Sequence, residues 1–283
     1  MRFFLEPERK NLYYFILITF IFSWLLWIPK LLYSLGVISY SPLFNILMLC
    51  GSFGPLVASF SLTYMERGID GIKRIWHKGW HCDKKSYLYI SLLLIPGLTL
   101  LSLLLASLPL GYNLLELLRF RKYGYIFTDI LVTFLIGGPF QEEFGWRGYA
   151  LDYLQSKWNA LESSIILGGI WSLWHFPLFF IIDSPQSNQS FISFTISIIA
   201  VSVLFTWLHN NTDGSVLVAM SFHASINVSY LVFLPKISIT SNLIFTIFLD
   251  VTIICIVFSY GQKKLKRLNR KDEIVQNLKI LKE

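Results

Sequence analysis

The sequence predicts an all-α fold, a polytopic membrane helix bundle of about eight transmembrane helices. Three observations carry this. Hydrophobic residues make up 54% of the 283 positions. Charged residues make up 14%, against about 25% in an ordinary soluble domain. The apolar residues also gather into runs of about 20, the length that crosses a bilayer. So much apolar surface has no place in a water-soluble core of this size and must face lipid.

The spans follow in order. The first, 12–33, comes after Arg2, Arg9 and Lys10. It is longer than a signal core and no small-residue cleavage site follows, so it reads as a retained helix. The second, 42–64, contains Gly51, Gly54 and Pro55, a packing or kink feature. The third is 87–109. The fourth, 125–145, is the least regular, because it carries Asp129 and ends on Glu142 and Glu143. The fifth is 161–182. The sixth, 191–209, and the seventh, 214–234, are joined by a polar turn at 210–213. The eighth, 242–260, carries an isolated Asp250. No linker or repeat interrupts the chain, so 1–283 reads as one integral membrane domain.

The basic residues orient the bundle. With both termini in the cytoplasm, 19 of the 24 Lys and Arg fall inside, as the positive-inside rule requires. Arg119, Arg121 and Lys122 dissent, which implies a less simple third crossing. The basic cytoplasmic tail, 263–283, suits an anionic leaflet better than nucleic acid. Cys50, Cys82 and Cys255 are odd in number and far apart, which gives no disulfide framework or metal knuckle. A composition rich in Ile, Lys, Asn and Phe points to an AT-rich genome and a bacterial plasma membrane.

A charge at the bilayer centre costs about 2.5–3.5 kcal/mol, so such residues face a protein interior or a wet cavity. Glu142 and Glu143 point about 100° apart on a helix and are free to serve different roles. Glu143 and Arg147 stand at i and i+4, where a Glu and an Arg meet. The plain alternative is an ion pair at a helix end among the headgroups. His175 lies one turn after Trp171, and Pro177 loosens the backbone beyond it. By itself this His could simply bond a neighbouring carbonyl. His223 and Asn227, at i and i+4, share a face of the seventh span beside the small residues Ala219, Ser221, Ala224 and Ser225. Interhelical hydrogen bonding explains either one singly, and both together less well.

Together, a carboxylate, two imidazoles and an amide around one cavity open to the cytoplasm form an inventory for hydrolysis by an activated water. No Ser or Cys stands out as a nucleophile. His77, His81 and Cys82 have metal-like spacing but read as a solvated basic loop. His209 reads as a helix-terminus residue.

Glu142-Glu143-x-x-x-Arg147, Trp171-x-x-x-His175 and His223-x-x-x-Asn227, with the segment 138–149 around the first, resemble the CPBP family. These are the CAAX-processing and bacteriocin-processing intramembrane proteases, or ABI family, also called type II CAAX prenyl endopeptidases. The resemblance covers about 125–230, which it marks as the catalytic core. It implies an intramembrane endopeptidase, a metalloendopeptidase by common description. In it Glu142 activates the water and Glu143 pairs with Arg147. His175, His223 and Asn227 position the water and stabilise the oxyanion. Glu142, His175 and His223 would be the ligands of a Zn²⁺ ion, while glutamate-only chemistry would use the same residues. Trp171 stands where the family commonly has Phe, a change expected to alter cavity shape more than chemistry.

The substrates implied are membrane-associated proteins or peptides, whether prenylated C-termini, leader peptides or bacteriocins. The alternative is a non-catalytic adaptor or bacteriocin self-immunity factor on the same scaffold. A proton-coupled carrier would show internal repeats, and none is evident.

Overall fold

A computed structural model describes residues 9–108, 126–233 and 238–266, and every regular element within them is helical. The order is α1 Arg9–Ser34, α2 Leu43–Gly51, α3 Gly54–Lys78, α4 Lys85–Ser107, α5 Ile126–Ile136, α6 Pro139–Gly145, α7 Leu151–Gln155, α8 Ala160–Trp174, α9 Phe191–Asn211, α10 Val216–Phe233 and α11 Ile239–Tyr260. Arg119, Arg121, Lys122 and tail positions 267–283 lie outside the described residues. Among those described, six helices are long and apolar enough to cross a membrane, or seven if α2 and α3 count as one bent span. Outward-facing side chains such as Leu93, Ile192, Ile239 and Phe258 are apolar and exposed, as a lipid-facing surface requires.

Two spans depart from straight helices, for local reasons. α2 and α3 meet at a 47° bend. Gly51 and Gly54 flank it because α1 lies against them. A Cβ on Gly54 would fall 2.1 Å from Ser23 Oγ and 2.8 Å from the Thr19 carbonyl oxygen. The fourth span is broken outright at Gly137 and Gly138. Pro139 has no N–H to continue the α5 ladder, and Gly138 takes φ +113°, a conformation that L side chains rarely adopt. Gln141 Oε1 accepts the Gly138 N–H at 2.9 Å and caps the new start. α6 then widens into a π turn, Trp146–Ala150, before α7.

α8 begins on a reciprocal cap between Asn159 and Glu162. It stops at His175, and the chain goes on as a 3₁₀ turn, Phe176–Phe180, because Pro177 cannot donate to the preceding turn. α4 packs on α10 and α11, while α6 is held between α3 and α10. Asp152 on α7 ties the far end of that segment to Lys78 on α3 and His209 on α9. Burial pushes its carboxyl up, but His209 and Lys78 outweigh this and lower it to about 2. The Asp152 carboxyl is therefore charged at neutral pH.

α8 and α9 pack tightly at Gly168, where a Cβ would lie 2.8 Å from Ile199 Cα. The next residue, Gly169, has nothing within 4 Å. Gly168→Ala is expected to cost about 1–3 kcal/mol from overpacking. Gly169→Ala should be neutral or gain up to about 1 kcal/mol in helix propensity. Thermal unfolding in detergent checks both.

Candidate active site

The break at Gly138 sends α6 into the middle of the bundle with two adjacent carboxylates on it. Glu143 and Arg147 are both fully buried. Arg147 Nη1 donates to Glu143 Oε1 at 2.9 Å and to Oε2 at 3.0 Å. Burying such a pair costs several kcal/mol of desolvation, so further partners have to offset it. The guanidinium lies over the rings of Phe205 at 3.6 Å and Trp171 at 4.5 Å, and Nη2 reaches Ser202 Oγ at 3.5 Å. Glu143 Oε1 also meets His223 Nδ1 at 2.8 Å.

That contact fixes the chemistry of His223. Both Glu143 oxygens already accept from Arg147, so the carboxyl acts as an acceptor and Nδ1 is the donor in this contact. In the neutral ring the lone pair is then on Nε2. Nε2 points to Gly138: a Cβ there would lie 3.2 Å from it and 2.8 Å from Glu142 Oε1. Two acceptors from different helices thus converge beside a backbone that has no side chain. Glycine is required at 138 by space as well as by φ.

Glu142 faces away from the ion pair, as its 100° offset predicts. Its Oε2 accepts from Trp171 Nε1 at 2.7 Å and, more loosely, from Trp146 Nε1 at 3.4 Å. Trp171 therefore changes chemistry as well as shape, which corrects the expectation from sequence. Phe at that position has no N–H to donate.

His175 caps α8 with Nδ1 against the Trp171 carbonyl at 2.8 Å. Its ring lies on one side of Trp171, with centroids 5.8 Å apart, and the His223 ring lies at 5.4 Å. Asn227 reaches the helix break, where Nδ2 donates to Gly137 O at 2.8 Å. The break leaves that carbonyl without its helical partner, and Asn227 satisfies it. Asn227 thus ties α10 to the hinge beside Glu142.

All six residues picked out by spacing, Glu142, Glu143, Arg147, His175, His223 and Asn227, therefore sit around one centre. The other polar residues do not join it. Asp129 and Asp250 are exposed on the outer surface. His81 pairs with Asp83, and His209 with Asp152. Among the described residues no three His, Cys, Asp or Glu side chains stand together as a metal-binding group. The suggested set of Glu142, His175 and His223 does not gather as one, so no step below is routed through a metal. Sequence reasoning missed the roles of Gly138, Trp146 and Trp171. Trp146 was findable, since it stands four residues after Glu142, as Arg147 does after Glu143.

The profile of the family described as "Type II CAAX prenyl endopeptidase Rce1-like" matches residues 125–229, which include all six of these residues. The "CAAX prenyl protease 2" of Methanococcus maripaludis is 31% identical over 235 residues, covering 80% of this chain and 86% of that one.

The ion pair has a thermodynamic signature. Arg147→Met leaves the buried Glu143 with His223 as its remaining polar partner and should cost about 3–5 kcal/mol. Adding Glu143→Gln should recover part of the loss. A double-mutant cycle by unfolding in detergent should therefore show coupling of at least about 1 kcal/mol.

Proposed function

This chain belongs to the type II CAAX prenyl endopeptidase family, and from that premise we propose that it hydrolyses a peptide bond with a water activated by Glu142. The substrate is a membrane-associated protein, of the prenylated C-terminal class that the relative's name describes. One observation carries the reading: Glu142 has one oxygen engaged by indole donors and the other open beside the free nitrogen of His223.

A water between those two atoms gives one hydrogen to Glu142 Oε1 and the other to the lone pair of His223 Nε2. Its oxygen lone pair is thereby aimed at a peptide carbonyl. Attack forms the new C–O bond as Glu142 takes the proton. The second amide hydrogen of Asn227, not used on Gly137, supports the oxyanion. His175, whose Nδ1 is engaged by the Trp171 carbonyl, packs its ring against Trp171, the donor to Glu142. Collapse breaks the C–N bond as Glu142 returns its proton to the leaving nitrogen. The second proton of the water passes from the new carboxylic acid to the amine, so one water is consumed and the products are a carboxylate and an ammonium. A lipid-modified substrate suits a site among spanning helices, because its anchor enters from the bilayer.

Kinetics on purified protein in nanodiscs with a farnesylated CAAX peptide test this. Glu142→Gln is expected to lower kcat by about 10²–10⁴-fold, the usual contribution of a general base. 1,10-Phenanthroline should leave the wild-type rate unchanged. Full activity in the variant refutes the base, and loss of activity on chelation refutes the metal-free form. An adaptor on the same scaffold would show no turnover and would tolerate the substitution.

A further inference from the structure

We infer that Trp171 and Trp146 are positioning residues whose indole N–H groups hold Glu142 Oε2, so that Oε1 alone is left to take and return the proton. The inference rests on the reading of Glu142 as the base.

A carboxylate has two equivalent oxygens, and a turn about its last torsion exchanges them at little cost. A base that must keep one oxygen beside His223 needs something to break that symmetry. Here both indoles bond the same oxygen, at 2.7 Å from Trp171 and 3.4 Å from Trp146. Indole is a donor only. It therefore bonds Oε2 when Glu142 is a carboxylate and equally when a proton sits on Oε1. The pattern need not rearrange during turnover. A Lys or Arg in the same place would add a charge opposing proton uptake, and these neutral donors add none.

Both rings are fixed. Trp146 is fully buried, edge-on to Phe15 and Trp174. Trp171 is edge-on to Phe205 at 5.7 Å and lies beneath the Arg147 guanidinium. The Glu143–Arg147 pair therefore braces His223 by a hydrogen bond and the Glu142 donor by a ring contact. The orientation of the base is coupled to that of the water-holding imidazole.

The N–H must be separated from the ring that carries it. Trp171→Phe removes the donor and some volume. Replacing Trp171 with 3-benzothienylalanine puts sulfur where the N–H was and keeps the shape. With a prenylated CAAX peptide that the wild type cleaves, the isostere at 171 is expected to lower kcat about 10- to 100-fold. KM should stay within about twofold and the unfolding temperature within a few degrees. The same isostere at 146, whose bond is longer, should cost less. Unchanged kcat with the isostere at 171, while Glu142→Gln is inactive, overturns the inference and leaves the base in place. Loss only in Trp171→Phe also overturns it, since packing would then be the cause. Wild-type turnover by Glu142→Gln would overturn both readings.

Discussion

The ion pair between Glu143 and Arg147 constrains everything around it. Two opposite charges with no access to water must satisfy one another and find further partners, or the segment does not fold into the membrane. The partners come from three helices. His223 arrives on α10, Ser202 and Phe205 on α9, and Trp171 on α8. α3 closes the remaining side, with Gly145 of α6 so close to Pro55 that a Cβ would meet the Pro55 carbonyl oxygen at 2.6 Å. Helices that share only a lipid environment have no hydrophobic reason to pack together. This polar centre supplies one.

Adjacent carboxylates then stand in different surroundings. Glu143 bonds Arg147 through both oxygens and His223 through one, and its contact with Nδ1 leaves Nε2 of His223 facing Gly138. Glu142 is left with an open oxygen, because only neutral indoles hold it. The helix break makes this possible. A side chain at 138 would carry a Cβ into the space beside Glu142 Oε1 and His223 Nε2, and an unbroken helix would leave no peptide carbonyl for Asn227. Flexibility of sequence at Gly137 and Gly138 thus becomes a fixed geometry once Gln141 and Asn227 have bonded the loose backbone groups.

Much of this was legible in the sequence, and the reason is periodicity. Runs of about 20 apolar residues located the spanning helices other than the broken fourth, and i, i+4 spacing located both the Glu143–Arg147 pair and the shared helix of His223 and Asn227. Pro177 foretold a loosened backbone, although the fifth span reads on to 182 and the α-helix stops at Trp174, and Gly51 with Gly54 foretold a packing or kink feature. The rest depends on contacts between segments far apart in the chain. That Trp171 donates to Glu142 joins residues on two helices, and no spacing rule reaches across such a gap. The break at Gly138 was visible as Gly-Gly-Pro, but apolar periodicity reads through it as one span. The bond from Asn227 to Gly137 was hidden for a similar reason. That amide hydrogen is used on a carbonyl that becomes free only because the helix breaks.

The most direct test compares protein termini in membranes from cells expressing the wild type or Glu142→Ala at matched levels. The account predicts new peptide ends, near the C-termini of membrane-associated proteins, that appear only with the intact carboxylate. Identical termini in the two membranes, with the variant folded and any cellular effect retained, would contradict it and leave a binding scaffold in its place.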